Sequence, residues 1–335
     1  LQASDEIEGF FISGQEVARE PTHKSFAELL RHGVEEARTS PAVIFGVPFD
    51  LGTQHHLGTY LGPIGIRRAF SKFRPYSVEL GFDFSHRMRV TDLGNISIDD
   101  YKTYDETFRR IGLTMRWILS NGGVPIMLGG DDSINFPAAT AFAQHHNGPV
   151  GVIWIDNHYD CFDIYRGDPY HCGCPLRNLL VSSKGKVRPE NVVHIGSRGY
   201  GNSFASASNA KALGFHIRTM DDVEDKGAKA VMREAVALAS AGTDSFYVNV
   251  DIDSLDIAYG PGSQAPRPGG LTSRELLTMV REAGLGGAGA MAVVEVAPPV
   301  DVADATSTVA AACVMEMLGG VASRLPAGVT TARAT

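Results

Sequence analysis

Cysteine is scarce and irregularly placed in this chain. Cys161, Cys172, Cys174 and Cys313 cannot frame a disulfide scaffold across 335 residues, so reduced thiols are expected. Cys172-Gly173-Cys174 lacks the second Cys/His pair that would complete a zinc site, and reads as small buried or loop thiols. Basic blocks are missing too: Lys and Arg number 30 against 38 Asp and Glu, a formal charge of −8, which argues against nucleic acid as a partner. No apolar run approaches the roughly 20 residues that cross a bilayer. Leu1 to Glu6 shows neither the positive start nor the apolar core of a signal peptide. A soluble, cytoplasmic protein is expected, with no membrane partner; because the chain opens on Leu1 rather than Met, the question of a preceding targeting segment stays open.

What is present is a sequence 44% hydrophobic and 20% charged, enough to bury a large core. Short β-branched and aliphatic runs alternate with stretches of helical period, the pattern of βαβ units and a parallel sheet. The spacing predicts strands over Val43–Val47, Arg89–Leu93, Pro125–Leu128, Val150–Ile155, Val192–Ile195, Phe215–Arg218, Ser245–Val250 and Ala290–Val296. Helices are predicted over Pro63–Phe73, Tyr104–Ser120, Asn135–His145, Ser203–Leu213, Lys226–Ala241, Ser273–Ala283 and Ala303–Leu325. No linker interrupts the alternation, so residues 41–335 read as one domain. Residues 1–40 are polar and read as an irregular or helical arm, packed on the body or on a neighbouring subunit. Ligands of open parallel sheets bind beyond the carboxyl ends of the strands.

Four of those ends carry acidic clusters. After Val150–Ile155 come Asp156, His158 and Asp160 at alternate positions, which would share a side if the strand continued and which suit chelation by oxygen and imidazole. After Ser245–Val250 come Asp251 and Asp253, with Asp256 beyond. Gly129-Gly130-Asp131-Asp132-Ser133 joins a strand to a helix, and Glu295 lies inside the apolar run Met291–Val296. Each has a plain structural explanation. Asp131 and Ser133 suit helix caps, Asp256 a turn, and a solitary His158 a hydrogen-bonded core position. Five aspartates at apolar strand ends would nevertheless repel one another unless cations lay among them, and the concentration points to bound metal.

These motifs, together with Gly46-Val47-Pro48-Phe49-Asp50, Gly62-Pro63-Ile64-Gly65-Ile66-Arg67, Gly196-Ser197-Arg198-Gly199, Pro261-Gly262 and Val294-Glu295-Val296, resemble the arginase/agmatinase (ureohydrolase) family over most of the chain. The ordered pair Asp-x-His-x-Asp and Asp-x-Asp is the specific part of the match. The resemblance implies a three-layer α/β/α sandwich with a parallel, mainly eight-stranded sheet, in a homo- or hetero-oligomer of trimeric or hexameric type. It implies two divalent ions, Mn²⁺ or Ni²⁺. Asp132, Asp156, Asp160 and Asp251 would hold one and His158, Asp156, Asp251 and Asp253 the other, with water activated between them. Asp160 would orient that water and move its proton, Glu295 would pair with a guanidinium-type substrate, and His171 would serve as the substrate-facing acid/base.

Three departures from the family pattern bear on the substrate. Asp132 stands where the family has histidine, which adds a negative charge and a harder ligand, or costs the first ion. In Tyr170-His171-Cys172-Gly173 the histidine is one residue from its usual place, so either His171 or Cys172 faces the substrate. His55 and His56 occupy a loop where the family carries arginine and shape the substrate entrance, while Phe162 replaces a polar residue that reads the amino-acid end in arginases. The implied substrate is guanidine, agmatine, a guanidino acid or a biguanide such as metformin, giving urea or a substituted urea plus amine or ammonia. The alternative is a weakly active or non-catalytic subunit of a hetero-oligomer.

Overall fold

Strands whose residues are buried on both faces build the centre of the molecule. The computed structural model describes residues 24–53, 57–98 and 103–326. Its sheet has nine strands: β1 (Arg31–His32), β2 (Ala42–Gly46), β3 (Val90–Asn95), β4 (Val124–Leu128), β5 (Val150–Ile155), β6 (Val187–Ser197), β7 (His216–Thr219), β8 (Ser245–Asp251) and β9 (Ala290–Val294). They lie in the order β1-β3-β2-β4-β9-β8-β5-β6-β7, and every pairing is parallel. Eight strands match the predicted runs to within a few residues. The ninth, β1, is a pair of exposed polar residues with no hydrophobic signature, paired on the edge with Thr91 and Asp92. A separate antiparallel pair joins Tyr76–Ser77 to Phe82–Asp83.

The period-two alternation of side chains divides the core in two. Ile44, Ile126, Ile153, Val193, Val248 and Val293 face one way, onto α1 (Gly62–Ala69), α6 (Ala228–Ala239), α7 (Ser273–Leu285) and α8 (Ala305–Arg324). Phe45, Met127, Val152, Trp154, Tyr247 and Ala292 face the other way, onto α2 (Tyr104–Ser120), α3 (Asn135–His145), α4 (Pro175–Ser182) and α5 (Phe204–Leu213). The result is a three-layer α/β/α sandwich. Each fully buried aliphatic side chain contributes about 1.5–3 kcal/mol, so the two cores hold the strand ends firmly in place.

Helix α8 qualifies the absence of a spanning run: it is 20 residues long and, by length and mean composition alone, apolar enough to cross a membrane, but 67% of its most apolar stretch is buried within the protein. In residues 24–40 Phe26 is buried against Phe70 and Phe84 of the body, with edge-on ring contacts at 4.9 and 5.8 Å. The arm's residues 1–23 and the two entrance histidines, His55 and His56, lie outside the described residues.

Candidate metal centre

Strands β4, β9, β8 and β5 are neighbours at the middle of the sheet, so their carboxyl ends bring the four acidic clusters to one place. At the end of β4 the turn is tight. A Cβ on Gly130 would lie 1.8 Å from the Phe49 carbonyl oxygen, and only glycine allows that approach. Asp131 then caps the following 3₁₀ turn, its carboxylate accepting from the Ser133 amide at 3.0 Å and the Gly52 amide at 2.7 Å. The capping role foreseen for Asp131 is therefore the observed one. Asp256 is likewise a turn residue, accepting from the Ala258 and Gly269 amides.

Asp132 is buried and turned inward. Its Oδ1 accepts from Asn135 Nδ2 at 2.5 Å and Asn249 Nδ2 at 3.1 Å, and Tyr247 donates to Asn135 Oδ1 at 2.6 Å. Oδ2 of Asp132 has no hydrogen-bond partner although it is fully buried. A lone buried carboxylate oxygen is costly unless a cation meets it. Around it, ligand atoms of Asp132, Asp156 and Asp160 come within 4.8 Å of one another, and so do those of Asp156, His158 and Asp253. Asp156 belongs to both triads. Asp251 belongs to neither; it lines the same cavity, and its Oδ1 accepts from the Asp253 amide at 2.8 Å.

The alternate spacing of Asp156, His158 and Asp160 works differently from the expected continuation of the strand. β5 stops at Ile155, and the chain bends, with Asp160 in the left-handed region at φ 49°. The bend sends His158 toward Asp253 (Nδ1 to Oδ2, 2.9 Å) and Asp160 toward Asp132. Trp154 Nε1 supports Asp156 from behind, donating to its Oδ2 at 3.1 Å.

Charge dominates this cluster. Burial, followed by repulsion from neighbouring carboxylates, raises Asp132, Asp156, Asp160, Asp251 and Glu295 well above the ordinary carboxylate range. Asp253 moves the other way: burial would raise it, but His158 and Arg198 pull it below its usual value. His158 itself would be depressed by burial, yet the Asp253 carboxylate lifts it to about 9. A hard, oxygen-rich donor set with one imidazole, holding more negative charge than it can stabilise alone, fits divalent cations.

Glu295 closes the cluster from the end of β9, 2% exposed and left-handed at φ 67°. Its Oε1 accepts from the Asp132 amide at 2.7 Å, while Oε2 is buried without a partner. No core arginine pairs with it among the described residues. The cavity over these groups measures about 180 Å³. Both His171 and Cys172 line it, so the one-residue shift leaves both facing inward. The Gly173 amide donates to His171 Nδ1 at 2.9 Å, which places the proton of the neutral ring on Nε2. Phe162 stands on the same wall, its ring 4.8 Å from Tyr165, which in turn lies 4.5 Å from the His171 ring.

Sequence reasoning missed Trp154, Asn135, Asn249 and Tyr247 behind the cluster, and Tyr165, Gln264 and Arg267 on the cavity wall. Asn249 left a signal, being an amide inside the otherwise apolar Phe246–Val250. His194 was missed as well. It is fully buried behind His158, its Nε2 donating to the His158 carbonyl at 2.6 Å, and burial lowers its pKa to about 4. A folded-state value below the unfolded 6.5 means that the unfolded chain binds the extra proton between pH 6.5 and 4. Stability is lost as pH falls through that window, by up to about 3 kcal/mol. Denaturation in urea across pH 4.5–7 should therefore show a smaller acid loss for His194→Gln than for the parent. Cluster carboxylates titrate in both chains, so the difference between the curves isolates His194; parallel curves would remove the assignment.

The fold and the clustered side chains define a class, an α/β sandwich with a group of acids and a histidine able to hold metal at its central strand ends. A profile of the Arginase family matches residues 40–319, and the chain belongs to that family, whose members hydrolyse amidino and guanidino groups. It is 36% identical to a formimidoylglutamase of Halalkalibacterium halodurans over 83% of this chain and 86% of the relative. It is 33% identical to the mitochondrial guanidino acid hydrolase of Homo sapiens over 84% of this chain and 79% of that one. The crystal structure of Trypanosoma cruzi formiminoglutamase with Mn²⁺ superposes with a TM-score of 0.82 at 25% identity, covering 90% of this chain and 99% of that one.

Proposed function

We propose that this chain hydrolyses a carbon–nitrogen bond of a linear amidine or guanidine compound at a centre of two divalent ions, with manganese, the ion of the related structure, as the resident metal. Residues 41–335 form the catalytic unit in this reading. The observation that carries it is the pair of triads sharing Asp156, with the buried Oδ2 of Asp132, a member of one of them, left unpartnered. Asp132, Asp156 and Asp160 would hold one ion and Asp156, His158 and Asp253 the other, with Asp251 completing both. Bound there, the ions supply acidity, lowering the pKa of water from about 15.7 toward neutrality.

The protein's own groups do the rest. An amidinium carbon is a weak electrophile because resonance spreads its charge, so the substrate must be held close and oriented. The partnerless Oε2 of Glu295 accepts from the amidinium N–H groups and fixes the carbon above the cluster. Asp160 accepts a proton from the attacking water as the C–O bond forms. Asp160 then passes that proton to the departing nitrogen as the C–N bond breaks, and His171 Nε2–H, on the wall, orients that nitrogen by a hydrogen bond. Water adds across the bond overall, releasing ammonia or an amine and leaving a urea or amide. The unpartnered Asp132 Oδ2 favours a metal-binding, active chain over a metal-poor subunit that merely stabilises another.

Metal analysis joined to turnover tests this reading. The chain purified with Mn²⁺ should carry about two ions and release urea or ammonia from guanidino or formimidoyl compounds, with Ni²⁺ run as a second arm. In Asp132→His the preference between the two metals should shift. Little bound metal, or turnover that arises only on mixing with a second chain, would instead establish the partner-subunit role.

A further inference from the structure

The mechanism leaves one charged group of the cavity unused. Among the described residues Arg267 is the only lysine or arginine lining it, beside the acids Asp132, Asp160, Asp251, Asp253 and Glu295. The side chain is exposed, and its guanidinium reaches only the carbonyl of its neighbour Pro266, at 3.3 Å from Nη1. No described carboxylate forms an ion pair with it. Its backbone, by contrast, is tied down: the Arg267 carbonyl accepts from the Ile257 amide at 3.1 Å and from Arg198 Nη2 at 3.0 Å. Arg198 also donates to the carbonyls of Asp253 and Leu255, so the same clasp fixes Arg267 relative to the turn that carries Asp251 and Asp253.

A guanidinium kept at the cavity wall without an acidic partner discriminates among substrate tails. A tail ending in an ammonium would be repelled by it, and an uncharged tail would gain nothing. A carboxylate would form charge-assisted, bidentate hydrogen bonds with it while the amidinium end descends to Glu295. Opposite charges at the two ends of the substrate would then meet Arg267 and Glu295 on the wall of one cavity, fixing one orientation. We propose that Arg267 is a specificity-determining residue that reads a carboxylate at the far end of the substrate, so that the compound cleaved here is an amidino or guanidino acid. This rests on the reading of the cavity as an amidine-hydrolase site.

The experiment uses the Mn²⁺-loaded chain with 4-guanidinobutyrate, 3-guanidinopropionate and N-formimidoylglutamate as acids, and agmatine and guanidine as carboxylate-free comparators. At least one acid should exceed agmatine and guanidine in kcat/KM by about 10-fold or more. Arg267→Gln should lower the acid-to-agmatine ratio by about 10-fold, chiefly through KM, with metal content unaltered. Arg267→Lys, which keeps the charge but not the fork, should recover part of the ratio. Hydrolysis of agmatine or guanidine in preference to every acid, or a ratio unmoved in Arg267→Gln, overturns the inference while leaving the hydrolase reading intact. Failure to hydrolyse any of the five, with two ions bound, overturns both.

Discussion

Asp156→Asn is expected to lose at least one of the two ions and to lower kcat/KM by at least about 10³-fold, roughly 4 kcal/mol of barrier. Asp156 belongs to both triads, so this one substitution touches the ligand sets of both proposed ions. The same substitution should stabilise the metal-free protein. Its carboxyl is buried among like charges and lifted above its ordinary range, first by burial and then by Asp160 and Asp253. A group whose folded pKa is raised holds its proton more tightly in the native state, so its contribution to stability falls as pH rises above the unfolded value near 4. In chelator, therefore, the variant should melt above the parent, by a margin that widens from pH 5 to pH 8. With Mn²⁺ the order should reverse, because an ion at 100 times its Kd adds about 2.7 kcal/mol to a chain able to bind it. Calorimetry with and without metal reads both halves; equal metal content and an unchanged order of melting would reduce Asp156 to a structural acid.

Glu295→Gln is expected to leave both ions in place and still lower kcat/KM by about 10²–10³-fold, or roughly 2.7–4 kcal/mol. The amide preserves shape and can keep the contact from the Asp132 N–H to Oε1. What changes is the unpartnered Oε2 atom, whose negative charge the substrate amidinium would meet. Metal analysis beside steady-state kinetics separates this role from ligation. A variant with normal turnover would show that the substrate is held elsewhere, and a variant with depleted metal would make Glu295 part of the ion-binding shell.

Much of this arrangement was legible in the sequence because parallel strands buried on both faces read as uninterrupted apolar runs. Val150–Ile155 is such a run, and its boundaries agree with those observed. Helices with a clear polar face, such as Tyr104–Ser120, were equally readable. Arg31–His32 was not, because its place in the sheet comes from backbone pairing with β3 rather than from side-chain burial. Pro175–Ser182, only eight residues long, was too short to show a period. The acidic ligands stood out because charge at the end of an apolar run is unusual, whereas the groups supporting them are ordinary in composition. Trp154 looks like core and is core, yet its indole N–H supports Asp156. Asn135 and Asn249 lie 114 positions apart and meet at Asp132 only in the folded chain.

Asp160 and Glu295 both stand in backbone conformations where a residue with a Cβ is disfavoured by about 1–3 kcal/mol. Folding by itself would place glycine at both. In the proposed reading, glycine at either position would relax the backbone and remove an acid from the cleft, so backbone ease and chemistry make opposite demands on these two residues.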